Sequence, residues 1–179
     1  MSGTESRQLF GGAITATLPT GLIDASDLRQ VPDTQEVLLY PDSGISIILE
    51  VLQCVDVTKY TDIARCHFDS LAHDNDAESK SVDEISRMYN EHGPKTPGPI
   101  VLKGSQMVRK FNSKIPDEIR ILMAVYRLQQ QNIDLVLSMN VPMKASDGIA
   151  VDEAEWNSAA VTFNAAVSSL QIVDFGLFA

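Results

Sequence analysis

Ile119-Arg-Ile-Leu-Met-Ala-Val-Tyr-Arg-Leu128 and Ile133-Asp-Leu-Val-Leu-Ser-Met-Asn-Val141, separated only by Gln129-Gln-Gln-Asn132, decide how this chain folds. Ile133, Leu135, Leu137, Met139 and Val141 alternate onto one face, as a pleated strand requires, and the four-residue connection predicts a long hairpin. Ile100–Asn112 alternates in the same way just upstream. Glu36–Tyr40 and Ile45–Val55 are β-rich and meet at the turn sequence Pro41-Asp-Ser-Gly44. Residues 8–18 suit a strand pair or a bulged strand broken at Gly11-Gly12, and Pro19-Thr-Gly21 then turns the chain. Two stretches have helical spacing. From Asp56, a good N-cap, Tyr60, Ile63, Ala64, His67, Phe68 and Leu71 form one apolar face. Near the other end, Asp152 with Glu155 is a cap signature ahead of Trp156, Ala159, Ala160, Phe163, Ala166, Val167 and Leu170. Residues 81–89 leave helix and strand open, because Ser81-Val-Asp-Glu84 looks like a capping box but the segment is short. Gly93–Pro99 is a surface loop by composition. Strands, helix, strands, helix predict a mainly antiparallel sheet covered by helices, an α+β layer fold.

The 179 residues include 24 acids and 14 bases, for a formal net charge of −10, with 44% hydrophobic and 21% charged residues. These are globular values, so disorder, collagen and coiled coil are poor fits. A single domain over 1–179 that folds without staples is expected, with 1–7 flexible. Two cysteines, Cys54 and Cys66, read as reduced thiols of a nuclear or cytosolic protein. The start carries no apolar targeting region and no run of about 18 apolar residues occurs, so neither secretion nor a membrane span is expected. Charge is lopsided. Residues 24–42 hold Asp24, Asp27, Asp33, Glu36 and Asp42 against Arg29, whereas 95–128 carry seven bases against Asp117 and Glu118. An acidic surface repels phosphate backbones and attracts cationic proteins, which argues against nucleic acid and for a basic protein partner. The bland alternative is that acidity serves solubility alone.

Chemistry-bearing motifs are sparse. Cys66 beside His67 is the only nucleophile-and-base hint, and neighbours on a helix point about 100° apart, so the two cannot face one substrate together. His67, His73 and His92 with two cysteines lack zinc-ligand spacing, and no metal is expected. Phosphate-binding glycine loops are missing, so no nucleotide cofactor is expected either. The basic stretch 95–128 reads as a solvated sheet face, because Phe111 and Tyr126 are too few aromatics for an RNA reader. The loop from Asp24 to Glu36 is long for a connection between strands. Pro32 stiffens it, and Leu28 and Val31 look like apolar anchors, so its acids suit recognition. Short polar side chains that merely cap turns are the competing explanation for Asp24, Ser26 and Asp33.

Leu9-Phe-Gly-Gly-Ala-Ile-Thr15, Gly21-Leu-Ile-Asp-Ala-Ser-Asp-Leu-Arg29 and Val31-Pro-Asp-Thr-Gln-Glu-Val37 resemble the Mog family, the Ran guanine-nucleotide release factors of nuclear import. The likeness continues through Ile47–Leu52, His67-Phe-Asp69, Tyr126-Arg-Leu128, Asp134–Pro142 and Val173–Ala179, and is weakest over 74–118. It implies an α/β/α sandwich around a six-stranded antiparallel sheet, related in shape to the PsbP subunit of photosystem II, and a strand rather than a helix over 80–90. It further implies binding of the GTPase Ran, release of its nucleotide without catalytic residues, support of nuclear import alongside other import factors, and a nuclear location with cytoplasmic exchange. Acidic loop contacts carried over from the family fall on Asp24, Asp33 and Glu36, and Asp27, Arg29 and Gln35 lie beside them. An adaptor that binds Ran without altering its nucleotide affinity, and a small-molecule binding domain, are the competing classes.

Overall fold

A computed structural model describes residues 3–90, 92 and 94–179. In chain order the elements are β1 (Thr4–Leu9), β2 (Ile14–Pro19), β3 (Ile23–Asp24), β4 (Gln35–Leu39), β5 (Ser46–Gln53), α1 (Tyr60–Asp74), β6 (Ser79–Arg87), β7 (Ile100–Val108), β8 (Asp117–Leu128), β9 (Ile133–Lys144), α2 (Glu153–Ser169) and β10 (Gln171–Ile172). The large sheet has the order β3-β4-β5-β9-β8-β7-β6 and every pairing is antiparallel. Six long strands therefore form it, as expected, with the two-residue β3 added at one edge. A small sheet, β1-β2-β10, lies beside it.

The β8–β9 hairpin occupies the middle of the large sheet, with Leu128 opposite Ile133 and Asn132 supplying the left-handed residue of the turn (φ 57°). Both faces are covered. On one side Ile121, Met123 and Val125 meet Ile63, Ala64 and Phe68 of α1. On the other, Leu122, Ala124 and Tyr126 meet Ala159, Phe163 and Ala166 of α2 together with Ile14 and Leu18 of the small sheet. Two-sided burial explains why β8 is apolar at successive positions instead of alternating. Tyr126, buried beneath α2, donates its hydroxyl to the Val167 carbonyl at 2.6 Å, and burial pushes its phenol upward. Asp152 and Glu155 form the expected capping box of α2.

Two expectations are corrected and one open reading is decided. The first helix begins at Tyr60 after Lys59, with no side-chain cap, rather than from Asp56. The guanidinium of Arg127 on β8 takes the carbonyls of Val55 and Val57, which holds that stretch outside the helix. Residues 79–87, where spacing alone leaves helix and strand open, are strand β6, as the family resemblance implies. A bulge between Val82 and Glu84 shifts the pleat, so Val82 and Ile85 face the same core although three residues apart. That one extra residue imitates helical spacing. Thr4–Arg7, expected to be flexible, is paired to β2, while positions 1 and 2 lie outside the described residues. In the loop 93–99, Gly93 lies outside them as well, and 94–99 is turn and coil.

Gly104 on β7 sits directly beneath α1, where a Cβ would lie 2.5 Å from the Ser81 carbonyl oxygen and 2.9 Å from the Phe68 ring. Gly104→Ala is expected to destabilise the fold by about 1–3 kcal/mol, since the strand backbone must move to admit it. A urea titration followed by circular dichroism would check this, and an unchanged midpoint would refute the close approach.

Candidate partner-binding loop

The loop between β3 and β4 is built by local hydrogen bonds. Asp24 ends β3, and its Oδ1 accepts from the Ser26 hydroxyl at 2.7 Å and the Ser26 amide at 2.9 Å. Those bonds hold its carboxyl below the usual range, the hydroxyl contributing most. A 3₁₀ turn, Ala25–Asp27, follows, and the buried Ala25 accepts at its carbonyl from the amides of Leu28 and Arg29. At the exit the Gln35 amide donates to the Pro32 carbonyl, and the Thr34 carbonyl accepts from the Val51 amide, so the last residues already join β5. Both ends are fastened.

Leu28 was expected to anchor this loop and does not. It is 69% exposed, and the buried Leu22 and Ala25 do the anchoring. Val31 is half-buried. The fixed loop thus presents Asp27, Arg29 and Asp33 to solvent with Leu28 among them.

Gln35 and Glu36 are separated by the pleat, which sends successive side chains to opposite faces. Glu36 turns to the α2 side, where its Oε1 accepts from the Phe10 amide at 2.6 Å. Phe10 has a positive φ of 50° and opens the Phe10–Gly12 turn between β1 and β2, so Glu36 braces that turn. Glu36→Ala leaves the amide without its acceptor and is expected to cost about 1–3 kcal/mol. Thermal unfolding would measure it, and a melting point equal to that of the parent would exclude the bracing role. Gln35 faces the α1 side, where its Nε2 donates to Glu50 at 2.7 Å across the Gln35–Glu50 pair of β4 and β5. The six expected site residues therefore form no single cluster: Asp27, Arg29 and Asp33 share the loop surface, Asp24 caps its entry, Glu36 is turned to the hairpin, and Gln35 joins Glu50. Glu50 was not singled out from the sequence, although counting back through the Pro41–Gly44 turn places it opposite Gln35.

A second group is buried. Asp134, fully buried at the start of β9, accepts from Arg127 Nε (2.8 Å) and Nη2 (2.9 Å), His67 Nε2 (2.8 Å) and the Val55 amide (3.2 Å). Desolvation pushes its carboxyl up, but the bonds from Arg127, His67 and Val55 prevail and hold it well below the usual carboxylate range. Cys54 lies 3.6 Å from the same carboxylate, and burial followed by that negative charge raises its thiol, the opposite of what activates a sulfur nucleophile. His67 turns inward to Asp134. A recess of about 150 Å³ beside His67, lined also by Glu50, Ser70 and Ser138, is below the range of about 300–1,000 Å³ for small-molecule sites. Five bases of the 95–128 stretch lie within salt-bridge distance of carboxylates: Lys103 of Glu84, Arg109 of Glu78, Lys110 of Asp117 and Asp147, Arg120 of Glu153 and Arg127 of Asp134. No group of metal-binding side chains and no helix long and apolar enough to cross a membrane occurs among the described residues.

A layered α+β fold, one large antiparallel sheet with a helix on each face, is the frame that this chain shares with solved Mog1 structures. Residues 7–142 match the family described as "Ran-interacting Mog1 protein", and the chain belongs to that family. It is similar to the Ran guanine nucleotide release factor of Danio rerio, 30% identical over 97% of this chain and 99% of the relative. The Homo sapiens protein of the same name is 34% identical over 79% of this chain and 78% of its own length. The nuclear import protein mog1 of Schizosaccharomyces pombe is 31% identical over 96% and 99%. Among solved structures, the Saccharomyces cerevisiae Ran-binding protein Mog1p superposes with a TM-score of 0.76 at 26% identity over 99% of each chain.

Proposed function

We propose that this protein binds the small GTPase Ran through the β3–β4 loop and promotes release of its guanine nucleotide, supporting nuclear protein import from the nucleus with exchange to the cytoplasm. The observation that carries the proposal is a loop fastened at Ala25 and Thr34 that holds Asp27, Asp33 and the exposed Leu28 outward. Family membership and the names of the relatives support the choice of partner. Fixed carboxylates around an apolar side chain suit a cationic surface with an apolar centre, and a GTPase holds its phosphates with Lys and Mg²⁺. Glu50, joined to Gln35, continues the anionic surface onto the sheet. Asp24 and Glu36 act by shaping the loop and the adjoining hairpin.

Such a protein makes and breaks no covalent bond. It acts by linkage: a factor that weakens nucleotide binding about 1,000-fold must itself bind about 1,000-fold more weakly, about 4 kcal/mol, when nucleotide is present. Release of a fluorescent guanine nucleotide from Ran, followed with and without this protein, tests the proposal. Accelerated release is expected. Binding that leaves the release rate unchanged would make the protein an adaptor, and absence of binding would remove Ran as the partner.

A further inference from the structure

Helix α1 packs chiefly across β6, β7 and β8, so its cover of the sheet runs out over β5 and β9. The recess of about 150 Å³ beside His67 opens there, next to the Gln35–Glu50 pair at the exit of the acidic loop. Ile48, Leu71, Met123 and Val136 give it apolar walls. Ser138 and His67, each 5% exposed, are its deepest polar groups. His67 is committed through Nε2 to Asp134 at 2.8 Å. The Ser138 hydroxyl, by contrast, has no hydrogen-bond partner among the described residues. Its cross-strand neighbours are Ile48 on β5 and Met123 on β8. This hydroxyl therefore stands alone in an apolar surface, and only something that enters the recess can satisfy it.

Charge and size together indicate what enters. Glu50 and Asp74 are the lining carboxylates, no lysine or arginine lines the recess, and neither acid lies within salt-bridge distance of a base among the described residues. Glu50 Oε2 takes the Gln35 side-chain amide at 2.7 Å and leaves the other oxygen without a partner among those residues. The volume is too small for a drug-sized ligand and suits one long side chain. An anionic occupant would meet Glu50 and Asp74, and an apolar one would leave the Ser138 hydroxyl unpaired. Lysine brings a slender four-carbon stem and three donors, whereas the planar guanidinium of arginine is broader. We propose that the recess receives one lysine side chain of Ran, its stem against Leu71 and Val136 and its ammonium donating to Ser138, Glu50 and Asp74. Ran is carried over from the proposed function, on which this pocket rests.

Ser70 and Asp74, four residues apart on one side of α1 and both exposed, flank the mouth. Glu50 is half-buried, so an ammonium drawn in beside it loses water and is little screened by salt. Such a contact is read mainly in the rate of dissociation from Ran.

Acetylation of Ran lysines by N-hydroxysuccinimidyl acetate, read by mass spectrometry on nucleotide-free Ran alone and in complex with this protein, tests the proposal. One Ran lysine is expected to react about tenfold more slowly, or less, in the parent complex. It should recover its reactivity in the complex formed at saturating concentration with Ser138→Leu, which fills the recess. Because Ser138 is buried, Ser70→Leu provides a second variant: it blocks the mouth from an exposed helix position and should melt with its parent. Both variants should leave Ran about tenfold faster, the loss expected for hydrogen bonds to a charged group. In the Asp27→Lys/Asp33→Lys complex, formed at saturating concentration, the same lysine should stay protected. If Ran binds but no lysine is protected, or protection and dissociation are the same in both variants as in the parent, the recess holds only water and the proposal is overturned while Ran remains the partner. Failure of the parent to bind Ran at all would remove the partner and the pocket together.

Discussion

Asp134→Ala is expected to lower stability by about 3–5 kcal/mol, because it strands the largely buried Arg127 guanidinium and the buried His67 ring without their shared acceptor. Against a total of about 5–15 kcal/mol for a native protein, that leaves the fold marginal and moves the melting point by roughly 10 °C. Replacing the pair together, Arg127→Met with Asp134→Leu, should recover only the part that comes from the stranded guanidinium, since His67, the Val55 amide and the Val55 and Val57 carbonyls still lose their partners. Urea denaturation of parent, single and double variants measures both effects. A single variant as stable as the parent would mean that the network contributes nothing. The same carboxylate sets a response to acid. Its folded pKa is depressed, so its contribution is complete above the unfolded value of about 3.9 and is lost as pH falls below it. The stability difference between parent and Asp134→Asn should therefore narrow below about pH 4, and a gap constant down to pH 2 would contradict this origin.

Reversing the two outward carboxylates, Asp27→Lys with Asp33→Lys, is expected to weaken binding to Ran by about 2–4 kcal/mol, or roughly 30- to 1,000-fold, while the melting point is unchanged. Both side chains are exposed, so the loss falls on the complex and not on the fold. Glu36→Lys should differ, losing stability first and affinity only as a consequence, because it removes the acceptor of the Phe10 amide. Calorimetric titration of nucleotide-free Ran beside thermal melts separates the two patterns. Wild-type affinity in the Asp27/Asp33 double reversal would reject the loop as the contact surface. Raising the salt should weaken the parent more than the double reversal, since the removed attraction is the screened one.

Much of this architecture was legible from local pattern. The β8–β9 hairpin announced itself by alternation and a short connection, and α2 by its Asp152–Glu155 box. Strand β6 was obscured because its bulge places Val82 and Ile85 three residues apart on one face, a spacing that periodicity assigns to a helix. The start of α1 was misplaced because the competing force on residues 55–57 comes from Arg127, some seventy positions away. Pairing of Arg127 with Asp134 was within reach: once Leu128 faces Ile133, the next pair outward is Arg127 and Asp134. At the loop, composition identified the acids but could not say which way each turned. Adjacent positions in β4 diverge by the pleat, so Gln35 and Glu36 serve different faces, and the small buried Ala25 holds the loop where the larger Leu28 was expected to.

The reach of Arg127 imposes an order of assembly. Its guanidinium is oriented by Asp134, a partner only seven residues on, yet its remaining donors take carbonyls 70 and 72 residues upstream. Closing the near loop costs far less chain entropy than closing the distant one. The hairpin is therefore expected to form as a template, and the segment leading into α1 to settle on it afterwards, so that mutations at Arg127 slow the late docking of the helix and leave the early strand pairing untouched.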